Sequence, residues 1–159
     1  MILPLDFMKG AQKGIWRRFD LLCILLYTQL MIIGIHHVQL AMPKGEEPRA
    51  RAFFTGILGL TELAKPESLK GRGGCWFSCG AQELHVGVEP EFRPAKKAHP
   101  AFLVHDLDAL QARLESAGVK ISHQPPLPDA KRIFVEDPFG NRIELLERIK
   151  RANLTPLNT

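Results

Sequence analysis

From residue 33 onward, apolar and polar positions run through one ordered set of periodicities and then repeat it. Ile35–Met42 alternates as a strand does, with Val38, Leu40 and Met42 on one face and His37, Gln39 and Ala41 on the other. A helix over about 47–58 follows. Ala50, Phe53, Phe54, Ile57 and Leu58 recur at the spacing of one helical face, and Gly59 marks the stop. Short strands near 61–65, 74–79 and 82–88 complete the first set. The second begins with a strand over 98–104. It continues with a helix capped near Asp106, with Leu107, Leu110, Leu114 and Ala117 on one face and Gly118 at its end. Strands near 119–123, 131–136 and 142–147 close it. Both halves read strand, helix, strand, strand, strand. The pattern predicts an α+β fold of two tandem βαβββ modules, 33–89 and 98–149, whose mixed sheets curve around a cleft.

The repeat has a measurable offset. Gly59 and Gly118, Leu60 and Val119, and Pro66 and Pro125 each lie 59 residues apart. Ahead of the helices the offset is 62, because the first half carries extra residues around Pro43-Lys44-Gly45. With that correction His37 pairs with His99, and His85 pairs with Glu144. Strand parity puts all four away from the apolar faces that helices would cover, and turns His36 toward the apolar side. His105 and His123 fall at strand or helix edges. Imidazole and carboxylate together suit Zn, Ni, Mn, Fe or Co, with the choice among them left to geometry and availability. His37, His85, His99 and Glu144 are therefore candidate ligands of one divalent metal ion.

Composition narrows the classes. The chain has 159 residues, 45% of them hydrophobic, enough for a core and inconsistent with disorder. Cys23, Cys75 and Cys79 form no CxxC pair, so a reduced, cytoplasmic chain is expected. Cys75 and Cys79 share a strand face about 13 Å apart, too far for a disulfide. The net charge of +4 is dispersed toward the ends, with no basic stripe among aromatics, so no nucleic-acid partner is expected. Residues 21–33 are the one long apolar run. They fall short of the roughly 20 residues of a membrane span. Basic residues precede them as in a signal peptide, but a small-x-small cleavage site is missing. Residues 1–30 read as an N-terminal extension, helical or non-native, and no membrane partner is expected unless that run is an anchor. Residues 150–159 read as a C-terminal tail.

Phe134-Val-Glu-Asp-Pro-Phe-Gly-Asn-Arg-Ile-Glu-Leu145 combines a strand, an Asp-Pro-x-Gly-Asn turn and a last strand with a central glutamate. With Ile35-His-His-Val-Gln-Leu40 and Ala52-Phe-Phe-Thr-Gly-Ile-Leu-Gly-Leu60, it resembles the vicinal oxygen chelate superfamily over about residues 33–149. That superfamily includes glyoxalase I, methylmalonyl-CoA epimerase, fosfomycin-resistance proteins and extradiol dioxygenases. The resemblance implies a metal set of His37, His85, His99 and Glu144, with Glu144 also moving the substrate proton, and it implies a homodimer. Glyoxalase I usually carries a carboxylate where His85 stands, and the epimerases carry an amide. Three histidines and one glutamate leave positive charge on a divalent ion, which favours an enolate or enediolate. The implied function is a metal-dependent lyase or isomerase acting on a small substrate with vicinal oxygens. If His85 does not ligate, His37, His99 and Glu144 resemble the facial triad of Fe(II) dioxygenases. A non-catalytic drug-binding protein of the same fold is the third reading.

Trp76, Phe77 and Phe134 are candidates to line the substrate cleft, against the plainer reading of core aromatics. Arg93, with Lys96 and Lys97, is a candidate to hold a substrate anion, against the plainer reading of a solvated linker. Gly71-Arg-Gly-Gly74 lacks the strand-then-helix context of a phosphate loop and reads as a turn.

Overall fold

A computed structural model describes residues 31–149, and residues 35–149 lie in one compact unit. The expectations for residues 1–30 and 150–159 lie outside the described residues. The first module comprises β1 (His37–Met42), α1 (Glu47–Arg51), β2 (Thr61–Leu63), β3 (Cys75–Cys79) and β4 (Gln82–Val88). The second comprises β5 (Ala101–Leu103), α2 (Leu107–Ser116), β6 (Ile121–Ser122), β7 (Ala130–Glu136) and β8 (Arg142–Arg148). Each module builds one four-stranded mixed sheet. The orders are β1-β4-β3-β2 and β5-β8-β7-β6, with β1 parallel to β4 and β5 parallel to β8. The two orders are the same order repeated.

Register makes the repeat exact at its centre. On β4, His85 faces Gln39 of β1 and Trp76 of β3. On β8, Glu144 faces Ala101 of β5 and Phe134 of β7. His37 and His99 each stand two residues before the residue that faces this central position. The pairings inferred from sequence spacing are therefore pairings of the backbone.

α2 forms as its sequence predicts. Asp106 accepts the Ala109 N–H at 2.9 Å as the N-cap, Leu107 and Leu114 are buried, and Gly118 takes φ 71° past the end. The first helix departs from a regular α-helix. After Arg51 it widens into a π-helical segment, Ala52–Ile57, in which the Leu58 N–H reaches the Phe53 carbonyl. Gly56, a poor helix former, lies in the widened turn, and the adjacent Phe53 and Phe54 are both buried.

The apolar faces of both modules meet in one core. Leu40, Met42, Phe54, Phe77 and Leu84 of the first pack in one cluster with Leu114, Ile143 and Leu145 of the second. Each such burial is worth about 1.5–3 kcal/mol relative to exposure. The β7–β8 turn adds a polar tie. Asp137 Oδ1 accepts the Phe139 and Asn141 N–H groups, and its Oδ2 accepts Asn141 Nδ2 at 2.7 Å. Asn141 Nδ2 also donates to the Ala41 carbonyl at 2.7 Å, fastening this turn to β1. Burial pushes the Asp137 carboxyl up, against the hydrogen bonds it accepts.

Two expectations are corrected at strand ends. The first strand begins at His37, so His36 lies ahead of the pleat and is exposed, not turned to the apolar side. The predicted strand 98–104 shortens to Ala101–Leu103, since Pro100 has no N–H to donate to a ladder. Among the described residues no helix is long and apolar enough to cross a membrane.

Candidate functional site

The four predicted ligands come together as two pairs, one on each sheet. On the first sheet His37 and His85 stack at 4.2 Å between ring centroids, and Trp76 stacks on His85 at 4.0 Å with nearly parallel planes. His85 is buried; its Nε2 meets Glu83 Oε2 at 2.8 Å. That bond holds the Glu83 carboxyl below the ordinary carboxylate range. His37 is exposed, and its Nδ1 lies 3.0 Å from Nδ1 of His36.

On the second sheet, His99 Nε2 lies 3.1 Å from Glu144 Oε2. The other ring nitrogen, Nδ1, donates to the Lys97 carbonyl at 2.8 Å, which leaves Nε2 to present its lone pair toward the carboxylate. Two lone pairs aimed at one point need a cation between them, either a proton or a metal ion. Arg132 Nη1 donates to the other oxygen, Glu144 Oε1, at 3.2 Å. Phe134 meets the His99 ring edge-on, and the Arg142 guanidinium lies 4.1 Å from the Phe134 centroid. Glu144 is buried, and both of its oxygens are engaged. Glu144, His99 and Arg132 form a charged cluster on the second sheet.

Trp76 and Phe134 thus occupy equivalent places, each against the central residue of its sheet. Arg93 lies exposed in the connection between the modules and makes no hydrogen bond to a described residue of either pair. Arg132 and Glu83 are the functional neighbours that sequence reasoning passed over. Alternation along β7 puts Arg132 on the face of Phe134, and that parity was the available signal.

A cavity of about 730 Å³ opens beside the edge strands β1 and β5, with Gln39, Glu83 and His99 on its wall. It touches Glu83, the partner of His85, and His99, the partner of Glu144. Among the described residues, no three His, Cys, Asp or Glu side chains stand close enough to share a metal ion. The donors are of the right chemistry for a divalent ion, yet one chain supplies them as two half-sets. As placed, the two pairs do not form one complete ligand set within the chain.

The family model of the Glyoxalase/Bleomycin resistance protein/Dioxygenase superfamily matches residues 34–145. A solved structure from Bacillus anthracis, assigned to the glyoxalase family, is 52% identical. The match covers 74% of this chain and 97% of that one, with a TM-score of 0.72. Lactoylglutathione lyase from Agrobacterium tumefaciens shares the fold at 20% identity and a TM-score of 0.59, over 74% of this chain and 95% of that one. The fosfomycin resistance protein FosX from Listeria monocytogenes does so at 18% identity and 0.60, over 76% and 97%. No curated protein matches the sequence.

Proposed function

The chain belongs to the glyoxalase/bleomycin resistance protein/dioxygenase superfamily, and from that premise we propose that it is a divalent-metal-dependent lyase or isomerase. Its substrate is a small molecule with two neighbouring oxygens. The observation that carries this reading is the His99–Glu144 pair, an imidazole nitrogen 3.1 Å from a carboxylate oxygen, with the far carboxylate oxygen tied to Arg132. His99 and Glu144 of one copy would hold the ion together with His37, and with His85 if it is released from Glu83, of a second copy in a homodimer. β1 and β5 are each the end strand of a sheet, which leaves both edges for a neighbour to cover. When bound, the ion supplies Lewis-acid polarisation of the substrate oxygens.

The chain's own residues do the rest. Arg132 fixes Glu144 through Oε1, so that Oε2, once released from the ion, would be the atom that takes a proton from substrate carbon and returns it. The Lys97 carbonyl sets the tautomer of His99. Trp76 and Phe134 supply flat apolar walls beside the two centres.

One observation favours a second reading. Glu83 engages His85 Nε2, and if that bond persists the donor set is His37, His99 and Glu144, the composition of an Fe(II) ring-cleaving dioxygenase site. Elemental analysis of gently purified protein separates these readings from sequestration. One divalent ion per chain supports an enzyme; protein that binds a small ligand without metal, and cannot be loaded with it, refutes metal dependence. Calorimetric titration of His85→Ala with Zn, Ni, Mn and Fe(II) separates the two enzyme readings. A steep loss supports four ligands and the isomerase, and a small effect supports the triad.

A further inference from the structure

We infer that the same substrate face carries a separate subsite for an anionic group, built by Lys65, Arg72, Gln39 and Trp76, so that the substrate is a small acid bearing a carboxylate or a phosphate. This rests on the reading that the His85–Trp76 face is the substrate face.

A cavity of about 270 Å³ lies against that face, lined among others by Lys65, Arg72, Gln39, Trp76 and Gly87. Its position follows from register. Gln39 and Trp76 both face His85 across the sheet, and Gly87 is the next residue of β4 on the same face. At strand rise, Gly87 lies about 7 Å from His85. A substrate of a few carbon atoms spans that distance.

The chemistry of the wall is one-sided. Lys65 and Arg72 bring two cations, and no carboxylate lines the cavity. Arg72 makes no ion pair with a described residue, and its side chain is exposed. Lys65 Nζ donates to the Gly73 carbonyl, which pins its charge at the rim. The nearby carboxylate, Glu47, accepts the Gly74 N–H at 2.9 Å and is held below the ordinary range first by that bond. Glu47 therefore has a partner other than the two cations, although Lys65 lies close enough to act on it.

The space is maintained by glycine. A Cβ on Gly87 would stand 2.9 Å from Gln39 Nε2, so a side chain there would displace the amide that lies over the strand. With Gly87 in place, the Gln39 N–H groups lie beside the cavity together with the two cations, a donor set suited to anion oxygens. Gly73 and Gly74 have φ 68° and 83°, and a Cβ on Gly74 would meet the Val86 carbonyl at 2.5 Å. Only glycine lets the 3-10 turn at Glu67–Arg72 return this closely to β4 and carry Arg72 to the cavity. The turn that sequence reading separated from phosphate loops thus supplies a cation by side chain.

The test titrates inorganic phosphate, and separately malonate, into metal-free full-length protein and follows ¹⁵N shifts. Saturable shifts are expected at the Gly73, Gly74 and Gly87 amides and at the Trp76 indole N–H. Arg72→Met should weaken that binding about tenfold or more. Lys65→Met should do the same, and Arg72→Met keeps the test valid if loss of the Lys65–Gly73 bond unfolds the turn. Lys131→Gln, at an exposed cation of the second module paired with Asp108, should leave phosphate and malonate binding unchanged. The tighter of the two probes identifies the acid as phosphate or carboxylate. Absence of saturable shifts at these residues, or equal affinity in Arg72→Met and wild type, overturns the subsite. Failure of metal loading with saturable phosphate binding intact would sink the proposed function and leave the subsite standing.

Discussion

The two sheets share one topology and one register, yet their centres hold different chemistry. At the middle of β4 stands His85, stacked between His37 and Trp76 and hydrogen-bonded to a half-buried Glu83. At the equivalent place on β8 stands Glu144, buried, with His99 on one oxygen and Arg132 on the other. The first centre is a column of rings with its carboxylate at the margin. The second is a carboxylate with cationic and imidazole partners around it. A duplicated backbone dictates where polar residues stand, and each copy then chooses its own group. Under the proposed function this becomes a division of labour, in which the second sheet would handle charge and protons and the first would supply flat surface and added donors.

The largest effect tests whether the modules stand or fall together. Phe77 is fully buried in the first module, within the cluster that contains Ile143 and Leu145 of the second. Phe77→Ala should cost about 3–5 kcal/mol. Denaturant unfolding followed by tryptophan fluorescence and by circular dichroism should still give one coincident transition. Two separated transitions would show independent modules and break the shared core.

Next comes the contrast between the two centres. Glu144→Gln and His99→Ala should each lower divalent-metal affinity about a hundredfold or more, and Arg132→Ala, acting through Glu144, about ten- to a hundredfold. Calorimetric titration measures all three. His36→Ala is not a neutral control, because His36 Nδ1 lies 3.0 Å from His37 Nδ1. The exposed His123 serves instead, and His123→Ala should change nothing.

A smaller effect sharpens the link between modules. Asn141→Ala removes the donor that joins Asp137 to the Ala41 carbonyl and should cost about 1–3 kcal/mol. The same turn gives stability a pH slope. Burial raises the Asp137 carboxyl above its ordinary 3.8, so the folded state holds this proton more tightly than the unfolded chain does. Its contribution therefore falls as pH rises from that ordinary value through the raised one, and is flat above it. Urea unfolding across that range should show the decline, and Asp137→Asn should remove it. The smallest effect is on the surface. Lys96 and Glu136 are about 60% exposed, and Lys96→Gln should cost about 0–1 kcal/mol in the same assay.

Much of this arrangement was legible in the spacing of residues. Helix-ending glycines 59 apart made His85 the equivalent of Glu144, and the register of β4 and β8 agrees. Alternation put His37 and Glu144 on the open faces. What spacing does not carry is the placement of one module against the other, so four candidates for one site stand as two pairs. His36 was misread because alternation was extended two residues beyond where the ladder begins. Arg132 and Glu83 were hidden because a charge on an open strand face resembles a solvated one until its partner is seen. Lys65 precedes a 3-10 turn and Arg72 ends it, and no period there ties a side chain to a face.

The central claim is that His37 of one copy completes the His99–Glu144 pair of another. It is tested by mixing two inactive variants, His37→Ala and His99→Ala, under conditions that allow subunit exchange, and measuring bound divalent metal. A heterodimer of these would hold one intact composite site and one doubly impaired site. Random exchange should therefore restore metal to about a quarter of the sites. If each chain builds its own site, neither variant can repair the other, and the mixture will bind no more metal than its separate components.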